Sequence, residues 1–194
     1  MDKMRYLTID LEDWFHLIDV DGFAAIEDWH QFPSRIENLL WPILDLLDTY
    51  NVKATFFVLG WVADNYPRLV KAIVHRGHEI GSHSYSHMPI WKLSPDEFKA
   101  DTMKSVETIL RACDTRPIYY RAPGFSVREK QLRWFVETLS SCGFRLDSSI
   151  FPVNGSHGGL SRLGLNKPFI LNSEYGNIME LPMSHVNILN KRFV

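Results

Sequence analysis

Apolar runs alternate along this chain with segments whose apolar residues recur at helical spacing. Continuous apolar runs are typical of strands that are covered on both faces. On that basis we predict strands at 5–11, 54–59, 78–81, 118–121, 144–147 and 177–181. The 3.6-residue period of apolar positions predicts helices between these strands, at 35–50, 64–77, 95–113 and 128–141.

Two of the predicted helices begin with a recognisable capping signal. Ser34 with Glu37, and Ser94 with Glu97, have the spacing of a capping box, in which each side chain accepts a bond from the other residue's backbone N–H. Pro95 also suits the first position of a helix. We therefore expect helices to start directly after Ser34 and Ser94.

Strands that alternate with helices indicate an α/β fold with a mostly parallel sheet. A complete (β/α) barrel takes about 250 residues, whereas this chain has 194. We therefore expect a distorted or incomplete (β/α) barrel that forms one domain over residues 1–194. Polar residues gather at the carboxyl ends of the predicted strands, where folds of this class place their sites.

Bulk composition excludes several kinds of partner. Lys and Arg number 21 against 23 Asp and Glu, for a formal net charge of -2, so no basic excess is available to bind nucleic acid. No stretch has the length and apolarity of a membrane span or a signal peptide, and we expect a cytoplasmic protein. Cys113 and Cys142 are expected to be reduced and buried. Nothing in the composition indicates an oligomeric state.

The sharpest group of polar residues is His83-Ser-Tyr-Ser-His87, directly after the third predicted strand. Histidines four apart lie on one face of a helical turn, so both rings can reach one ion. His75 and His78 lie outside this register and are interpreted as structural. A catalytic zinc site takes three protein ligands and keeps one position open for water, so one more ligand is needed.

The first strand can supply that ligand, because it ends in the carboxylates Asp10, Glu12 and Asp13. Their mutual repulsion is costly unless a cation lies among them. Taken alone, this stretch is also compatible with an exposed acidic loop. Together with the histidines it indicates a divalent metal site, for which Zn²⁺ is the first choice and Co²⁺, Ni²⁺ and Mn²⁺ are alternatives.

Two further strand ends carry candidate residues. In Tyr120-Arg-Ala-Pro-Gly-Phe125, Arg121 can bind and orient a carboxylate, and Gly124 leaves its backbone open to a ligand. In Leu146-Asp-Ser-Ser149, Asp147 either orients Arg121 or caps a loop. We place Asp147 among the candidate substrate-site residues.

These motifs, in this order, resemble the polysaccharide deacetylases of carbohydrate esterase family 4, whose shared unit is the NodB-homology domain. The resemblance covers about residues 5–185 and is carried by Thr-Ile-Asp-Leu-Glu-Asp, Ala-Thr-Phe-Phe-Val, Gly-His-Glu-Ile-Gly-Ser-His-x-x-x-His, Arg-Ala-Pro-Gly and Asp-Ser-Ser. The Asp-Leu-Glu-Asp-Trp-Phe variant is most similar to the branch found with bacterial exopolysaccharide loci.

The resemblance implies a metal-dependent hydrolase that removes N-acetyl groups from amino sugars of a glycan. Matched by position, Asp10 corresponds to the general base, and His83 and His87 correspond to metal ligands. Arg121 corresponds to the arginine that orients the base. The backbone around Gly124 corresponds to the donor that stabilises the oxyanion.

Aromatic residues beside these motifs are candidates for contact with a sugar ring. Trp14 follows the acidic strand end, and Phe125 follows Gly124. Packing in the core is the alternative for both rings.

The chain departs from the family pattern at the first motif, where two adjacent aspartates are usual. Here Leu11 separates Asp10 from the next acid. Strand alternation would place Glu12 on the same face as Asp10, whereas a bulge would bring in Asp13. Because aspartate is the usual ligand type in this family, we favour Asp13 as the third ligand and keep Glu12 as the alternative.

A second departure concerns the general acid, which the family takes from a Leu-x-His motif. His185, in Leu181-Pro-Met-Ser-His185, lies late enough in the chain but has the wrong spacing, so it is only a weak candidate. The sequence also stops soon after a predicted strand. We interpret it either as truncated at the C-terminus or as a naturally short form.

Two other functions remain open at this point. One is amide hydrolysis on a small non-sugar substrate such as a ureide ring, as in allantoinase-like relatives. The other is a catalytically silent carbohydrate-binding protein, which the unmatched general-acid motif would permit.

Overall fold

One sheet of seven strands organises the computed structural model, which describes residues 6–18, 25–151, 158–160, 167–184, 186–188 and 191–193. The strands are β1 (Thr8–Leu11), β2 (Thr55–Val58), β3 (Glu79–Ser82), β4 (Tyr119–Tyr120), β5 (Leu146–Asp147), β6 (Phe169–Leu171) and β7 (Ile178–Glu180). A separate antiparallel hairpin is formed by β8 (Val186–Ile188) and β9 (Lys191–Phe193).

The strand order in the sheet is β1-β2-β3-β4-β5-β7-β6. All neighbouring pairs are parallel except β6 and β7, which are antiparallel. Within the described residues β1 and β6 form the two edges, and the sheet does not close on itself. The prediction of an α/β fold with an incomplete barrel is therefore confirmed, while the antiparallel strand β6 is an addition that the apolar pattern did not reveal.

In the described part of the chain, five helices connect the strands: α1 (Ile36–Thr49), α2 (Gly60–Asn65), α3 (Pro67–His75), α4 (Pro95–Cys113) and α5 (Leu132–Ser141). Short 3-10 segments lie at Ile26–Gln31, Ile90–Lys92 and Pro123–Phe125. The helix predicted over 64–77 is in fact two helices, because Tyr66 is non-helical (φ -129°, ψ 52°) and Pro67 starts the second one. Among the described helices, none is long and apolar enough to cross a membrane.

The predicted capping box at the start of α4 is confirmed. The Ser94 hydroxyl accepts a bond from the Glu97 N–H at 3.3 Å, and a Glu97 carboxylate oxygen accepts one from the Ser94 N–H at 2.8 Å. Two backbone donors that the helix cannot use itself are thereby satisfied.

The capping box predicted at the start of α1 does not form, because a distant carboxylate takes its place. Asp13 Oδ2 accepts bonds from the Ser34 hydroxyl at 2.6 Å, the Arg35 N–H at 2.9 Å and the Ile36 N–H at 3.2 Å. Glu37 instead pairs with Arg68 on α3. The first turn of α1 is therefore capped by the acidic end of β1.

The apolar core has two parts, one on each half of the sheet. The first packs α1 to α3 against β1 to β3 around Leu44, Phe56 and Ile73, all at 0% exposure. The second packs α4 and α5 against the later strands and includes Phe98 and Phe135. Both cysteines are free, as expected, and each is buried in one of these parts, at positions 113 and 142.

We predict that Ser94→Ala lowers the free energy of unfolding by about 1 kcal/mol, the usual cost of losing a side-chain cap. Urea denaturation monitored by circular dichroism measures this change. Ser34→Ala removes a different set of bonds, because that hydroxyl donates to Asp13 at 2.6 Å and accepts from the Ile36 N–H at 3.4 Å without forming a box. An unchanged unfolding midpoint for Ser94→Ala would contradict the capping assignment.

Candidate active site

Parallel strands bring the candidate residues to one edge of the sheet. Asp10 lies in β1, His83 directly follows β3, and Arg121 directly follows β4. Because neighbouring parallel strands are in register, as Ser82 is with Tyr120, their carboxyl ends meet on the same side. The sequence motifs therefore form one cluster although they are far apart in the chain.

The two histidines lie on a loop and not on the helical turn that their spacing predicted. Ser84 (φ 64°) and His87 (φ 56°) both have left-handed backbones, which no helical turn contains. Asp101 on α4 holds the loop, because its carboxylate accepts bonds from the N–H groups of Tyr85 at 2.9 Å and Ser86 at 3.0 Å. Bonds to α4 thus replace the backbone bonds of a helix.

The histidine loop also lies directly on the start of α2. The Gly60 N–H donates to the Ser84 carbonyl at 2.8 Å. A Cβ atom at Gly60 would lie 2.8 Å from the Tyr85 ring and 3.0 Å from the Tyr85 Cα. The absence of a side chain at position 60 therefore permits the approach of the loop.

The loop brings both rings to one carboxylate of β1. The Nε2 atoms of His83 and His87 are 3.2 Å apart, and Glu12 Oε2 is 2.8 Å from His87 Nε2. One ligand atom from each of Glu12, His83 and His87 lies within 4.8 Å of the others. Both rings are almost fully buried, and the Glu12 side chain is 33% exposed. This arrangement leaves one side open toward solvent.

The protonation state of His83 follows from its contacts. Its Nδ1 lies 2.8 Å from the Arg121 carbonyl oxygen, which can only accept, so Nδ1 carries the proton and Nε2 presents a lone pair. Burial lowers the pKa of His83 below its usual value, which keeps the ring neutral. Metal-binding histidines typically have this arrangement, with the second nitrogen bonded to a carbonyl or carboxylate.

The donor set fits a divalent cation. Glu12 Oε2 is buried, and although it is close to His87 it has no aligned hydrogen-bond partner within the described residues. Two imidazole lone pairs and a carboxylate oxygen pointing at one place repel each other unless a cation lies between them. Two histidines and one carboxylate are also a common ligand set of catalytic zinc sites.

The preference for Asp13 as the third ligand is corrected by this geometry. Besides the three bonds that Oδ2 accepts at the start of α1, Asp13 Oδ1 accepts one from the Trp14 N–H at 2.9 Å. Both oxygens are thus occupied, and Asp13 is not in the cluster. Glu12 reaches the histidines because β1 continues its alternation, which places Glu12 on the same side as Asp10.

Arg121 contacts the predicted base directly. Its Nη1 donates to Asp10 Oδ1 at 2.8 Å, while Nη2 donates to Thr8 at 3.0 Å and to the Ser148 hydroxyl at 2.9 Å. Nε donates to the Ser148 carbonyl at 3.2 Å. Asp10 Oδ2 remains available and faces the histidines, 3.9 Å from His83 Nε2. The guanidinium therefore fixes one oxygen of Asp10 and leaves the other for chemistry.

Asp147 does not belong to the substrate site, contrary to the prediction. It is fully buried and lies in register with the equally buried Glu180 on the neighbouring strand. Ser149 also donates to Asp147 Oδ1, at 2.5 Å, and the Ile150 N–H donates to Glu180 Oε1 at 3.0 Å. Burial raises the pKa of Asp147 to about 6 and that of Glu180 well above its usual value. We therefore expect the two carboxyl groups to share a proton inside the fold.

Trp14 and Gly124 follow the strands β1 and β4, which carry Asp10 and lead to Arg121. Trp14 is 37% exposed, lines a 230 Å³ groove together with Asp10 and Glu12, and carries the Arg35 guanidinium 5.5 Å from its ring. Gly124 is left-handed (φ 56°) in the turn after Arg121. Both stay predictions for substrate contact. Phe125 packs 5.2 Å from the ring of Phe151, which favours the packing alternative for that residue.

Other histidines are placed as follows. His78 is buried at the start of β3, away from the cluster, where its Nδ1 accepts a bond from the Ala54 N–H at 3.3 Å. His75 is exposed at the end of α3. The weak general-acid candidate His185 lies outside the described residues.

Some residues of the site were missed from sequence. Thr8 and Ser148 hold Arg121, and Asp101 holds the histidine loop. Ser148 belongs to the quoted Asp-Ser-Ser motif, which was a usable signal. Asp101 lies within a long helix and has no such signal. His16, in the Asp-Trp-Phe-His stretch after β1, is buried, and its ring centroid is 6.4 Å from that of His87.

Comparison with known proteins identifies the family. A family model described as polysaccharide deacetylase matches residues 28–145, which is more than half of the chain. The chain belongs to the polysaccharide deacetylase family. The matched span includes His83, His87 and Arg121, while Asp10 and Glu12 lie before it.

Individual relatives agree with this assignment. A peptidoglycan-N-acetylglucosamine deacetylase of Bacillus cereus is 42% identical over 95 residues, which is 49% of this chain and 34% of that protein. A crystal structure of a polysaccharide deacetylase from Mycobacterium smegmatis has a similar fold, with a TM-score of 0.72 at 24% identity over 92% of this chain and 58% of the other.

A second solved structure has a different functional description. It is a CE4 family pseudoenzyme from Bacillus anthracis, with a TM-score of 0.55 and 26% identity over 72% of this chain and 40% of that one. The matches therefore span about a third to somewhat over half of the length of these relatives.

The neighbours Glu12 and Asp13 give a matched test of the ligand set. We predict that Glu12→Ala weakens Zn²⁺ binding by more than about 100-fold, above the loss typical of outer-shell partners, with little change in stability. Asp13→Ala should keep its affinity for Zn²⁺ but lose about 2 kcal/mol or more of unfolding free energy, because α1 loses its cap. Calorimetric titration and urea denaturation measure the two effects. The reverse pattern would reassign the ligand to Asp13.

The buried acid pair predicts a pH dependence of stability. The folded-state pKa of Asp147, about 6, lies above its ordinary value of 3.8, so the folded protein holds protons that the unfolded chain releases. Unfolding free energy should therefore fall as pH rises, over about pH 4 to 6. Glu180→Gln should flatten this dependence, because its amide can donate to an ionised Asp147. Equal slopes for both proteins in denaturation series would show that no proton is shared.

Proposed function

We propose that this chain is the catalytic domain of a metal-dependent N-deacetylase, which hydrolyses the acetamide of N-acetylated amino sugars in a glycan. The observation that carries the proposal is the Glu12, His83 and His87 cluster directly beside the Arg121–Asp10 pair. Membership in the polysaccharide deacetylase family supports it. So does the Bacillus cereus relative, a peptidoglycan-N-acetylglucosamine deacetylase.

Asp10 serves as the general base. Because Arg121 occupies Oδ1, the free Oδ2 is directed at the histidines, where it can accept a proton from an attacking water. Charge-assisted bonds to a planar guanidinium fix the carboxylate in one orientation. Arg121 is therefore a positioning residue, and the position of Asp10 depends on it.

The metal assignment is part of the proposal. The residues that hold the ion are Glu12, His83 and His87, and Zn²⁺ is the favoured ion for two imidazoles and one carboxylate. A divalent ion there supplies Lewis acidity, which polarises the acetamide carbonyl and makes water a better acid. The remaining open side of the cluster, next to Asp10, gives the substrate its access.

Substrate contacts extend the same site. We assign stabilisation of the oxyanion to the backbone around Gly124, a role in which one donor is worth about 100- to 1,000-fold in rate. Trp14 offers an exposed ring beside Asp10 for the face of a sugar. The general acid remains unassigned, and a cytoplasmic location remains our prediction.

We predict that Asp10→Asn lowers the rate of acetate release from N-acetylglucosamine oligomers by about 100- to 10,000-fold, the range for a lost general base. Removal of metal by a chelator should abolish activity, and Zn²⁺ should restore it. Asp114→Asn is the control, because this exposed residue has a left-handed backbone that asparagine tolerates.

Three outcomes would contradict the proposal. Full activity of Asp10→Asn would remove the assigned base. Saccharide binding without acetate release, in protein loaded with Zn²⁺, would instead favour the silent carbohydrate-binding function. Activity on a small cyclic amide but not on acetylated sugars would favour the allantoinase-like reaction.

A further inference from the structure

His16 lies in an aromatic enclosure beside the proposed metal site. Its side chain is 2% exposed. The ring centroids of Trp29, Phe15 and Trp61 are 4.3, 4.5 and 5.2 Å from that of His16. A polar ring in such surroundings is costly unless its nitrogens find partners.

One His16 nitrogen has a partner and the other does not. Nδ1 accepts a bond from the Asp13 N–H at 2.9 Å, so the proton of the neutral ring lies on Nε2. Burial lowers the pKa of His16 to about 3, so the ring is neutral at physiological pH. The Nε2–H group is buried and has no acceptor in the described part of the chain.

His87 also has one ring nitrogen without a hydrogen-bond partner among the described residues. Its Nε2 is directed at Glu12 and His83, which leaves the proton on Nδ1 when Nε2 presents its lone pair. This Nδ1 is also buried and has no partner among the described residues. The ring centroids of His16 and His87 are 6.4 Å apart, and no direct hydrogen bond joins the rings.

Two buried N–H donors on neighbouring rings thus lack an acceptor. Each such group destabilises the fold if it stays unsatisfied. A buried water typically makes two to four hydrogen bonds to groups of this kind, and its oxygen can accept from both rings. No other polar group of the described residues satisfies either nitrogen.

We propose that His16 is a positioning residue for His87, acting through one buried water that accepts a bond from His16 Nε2–H and one from His87 Nδ1–H. The water fixes the His87 ring and keeps its Nε2 lone pair directed at the metal. The inference rests on the proposed metal-binding role of His87. The water would do for His87 Nδ1 what the Arg121 carbonyl does for His83 Nδ1.

Two substitutions distinguish donation to the water by Nε2–H from the bond that Nδ1 accepts from the Asp13 N–H. His16→Asn retains an oxygen where Nδ1 accepts from the Asp13 N–H but has no donor at the Nε2 position. His16→Gln, with its longer side chain, places an amide N–H near the Nε2 position. Both variants put an amide into the same enclosure, so a loss confined to His16→Asn reports on the donor.

His78 provides a matched control. Its Nδ1 also accepts a backbone N–H, its Nε2 is also buried without a partner in the described residues, and it is 5% exposed. It lies at the opposite end of β3 from the histidine loop. His78→Asn therefore reproduces the loss of a buried imidazole without touching the metal site.

The experiment is titration of the metal-free protein with Zn²⁺ by calorimetry, alongside urea denaturation of each variant. We expect His16→Asn to weaken Zn²⁺ binding by about 10- to 100-fold, the usual effect of losing an outer-shell partner. His16→Gln should recover most of this loss, and His78→Asn should bind Zn²⁺ like the wild type. If His16→Asn does not fold, His16→Phe takes its place, because its ring fills the enclosure and lacks both nitrogens.

The possible results are distinguishable. Wild-type Zn²⁺ affinity in His16→Asn, or an equal loss in His78→Asn, would overturn the inference while leaving the proposed function intact. Equal weakening in His16→Asn and His16→Gln would overturn the donor role. Absence of Zn²⁺ binding by the wild type would refute the proposed metal site, and the inference would fall with it.

Discussion

The buried guanidinium of Arg121 is the charge around which the site is organised. It lies 4.2 Å from the Phe57 ring and is 3% exposed, so it must be paired within the protein. Its donors reach Thr8 and Asp10 in β1 and Ser148 after β5. Satisfying one buried cation therefore joins the ends of strands that lie far apart in the sheet. The geometry of the proposed base follows from this requirement of folding.

The fold contains two groups of close carboxylates and stabilises them in different ways. At the open edge, Asp10 has Arg121, and Glu12 is directed at a place suited to a cation. Asp147 and Glu180 are instead buried side by side, and burial raises the pKa of both. The first group is partly exposed and available for chemistry. The second is fully buried, where the neutral form is favoured, and lies at the ends of its strands. Burial decides which solution each group adopts.

Signals between residues close in sequence could be read from the chain. Competition for the same N–H groups by a residue from another element could not. The capping box at Ser94 depends on residues three apart and formed as predicted. The similar signal at Ser34 failed, because Asp13 reached the same N–H groups from another element. That contact also holds Asp13 away from the histidines, which Glu12 faces instead. The partner of Asp147 lies on another strand, so its complete burial could not be inferred from its own motif.

The contact between Gly60 and the histidine loop has a consequence for evolution. A single added methyl group at position 60 would displace the Tyr85 backbone, and both histidines are carried on that same loop. A mutation at position 60 would therefore shift the loop and change the positions of the two histidines, although Gly60 itself has no side chain that could bind a metal or substrate. A lineage that retains the two histidines in this arrangement is constrained to keep glycine at a position that a search for reactive side chains would overlook.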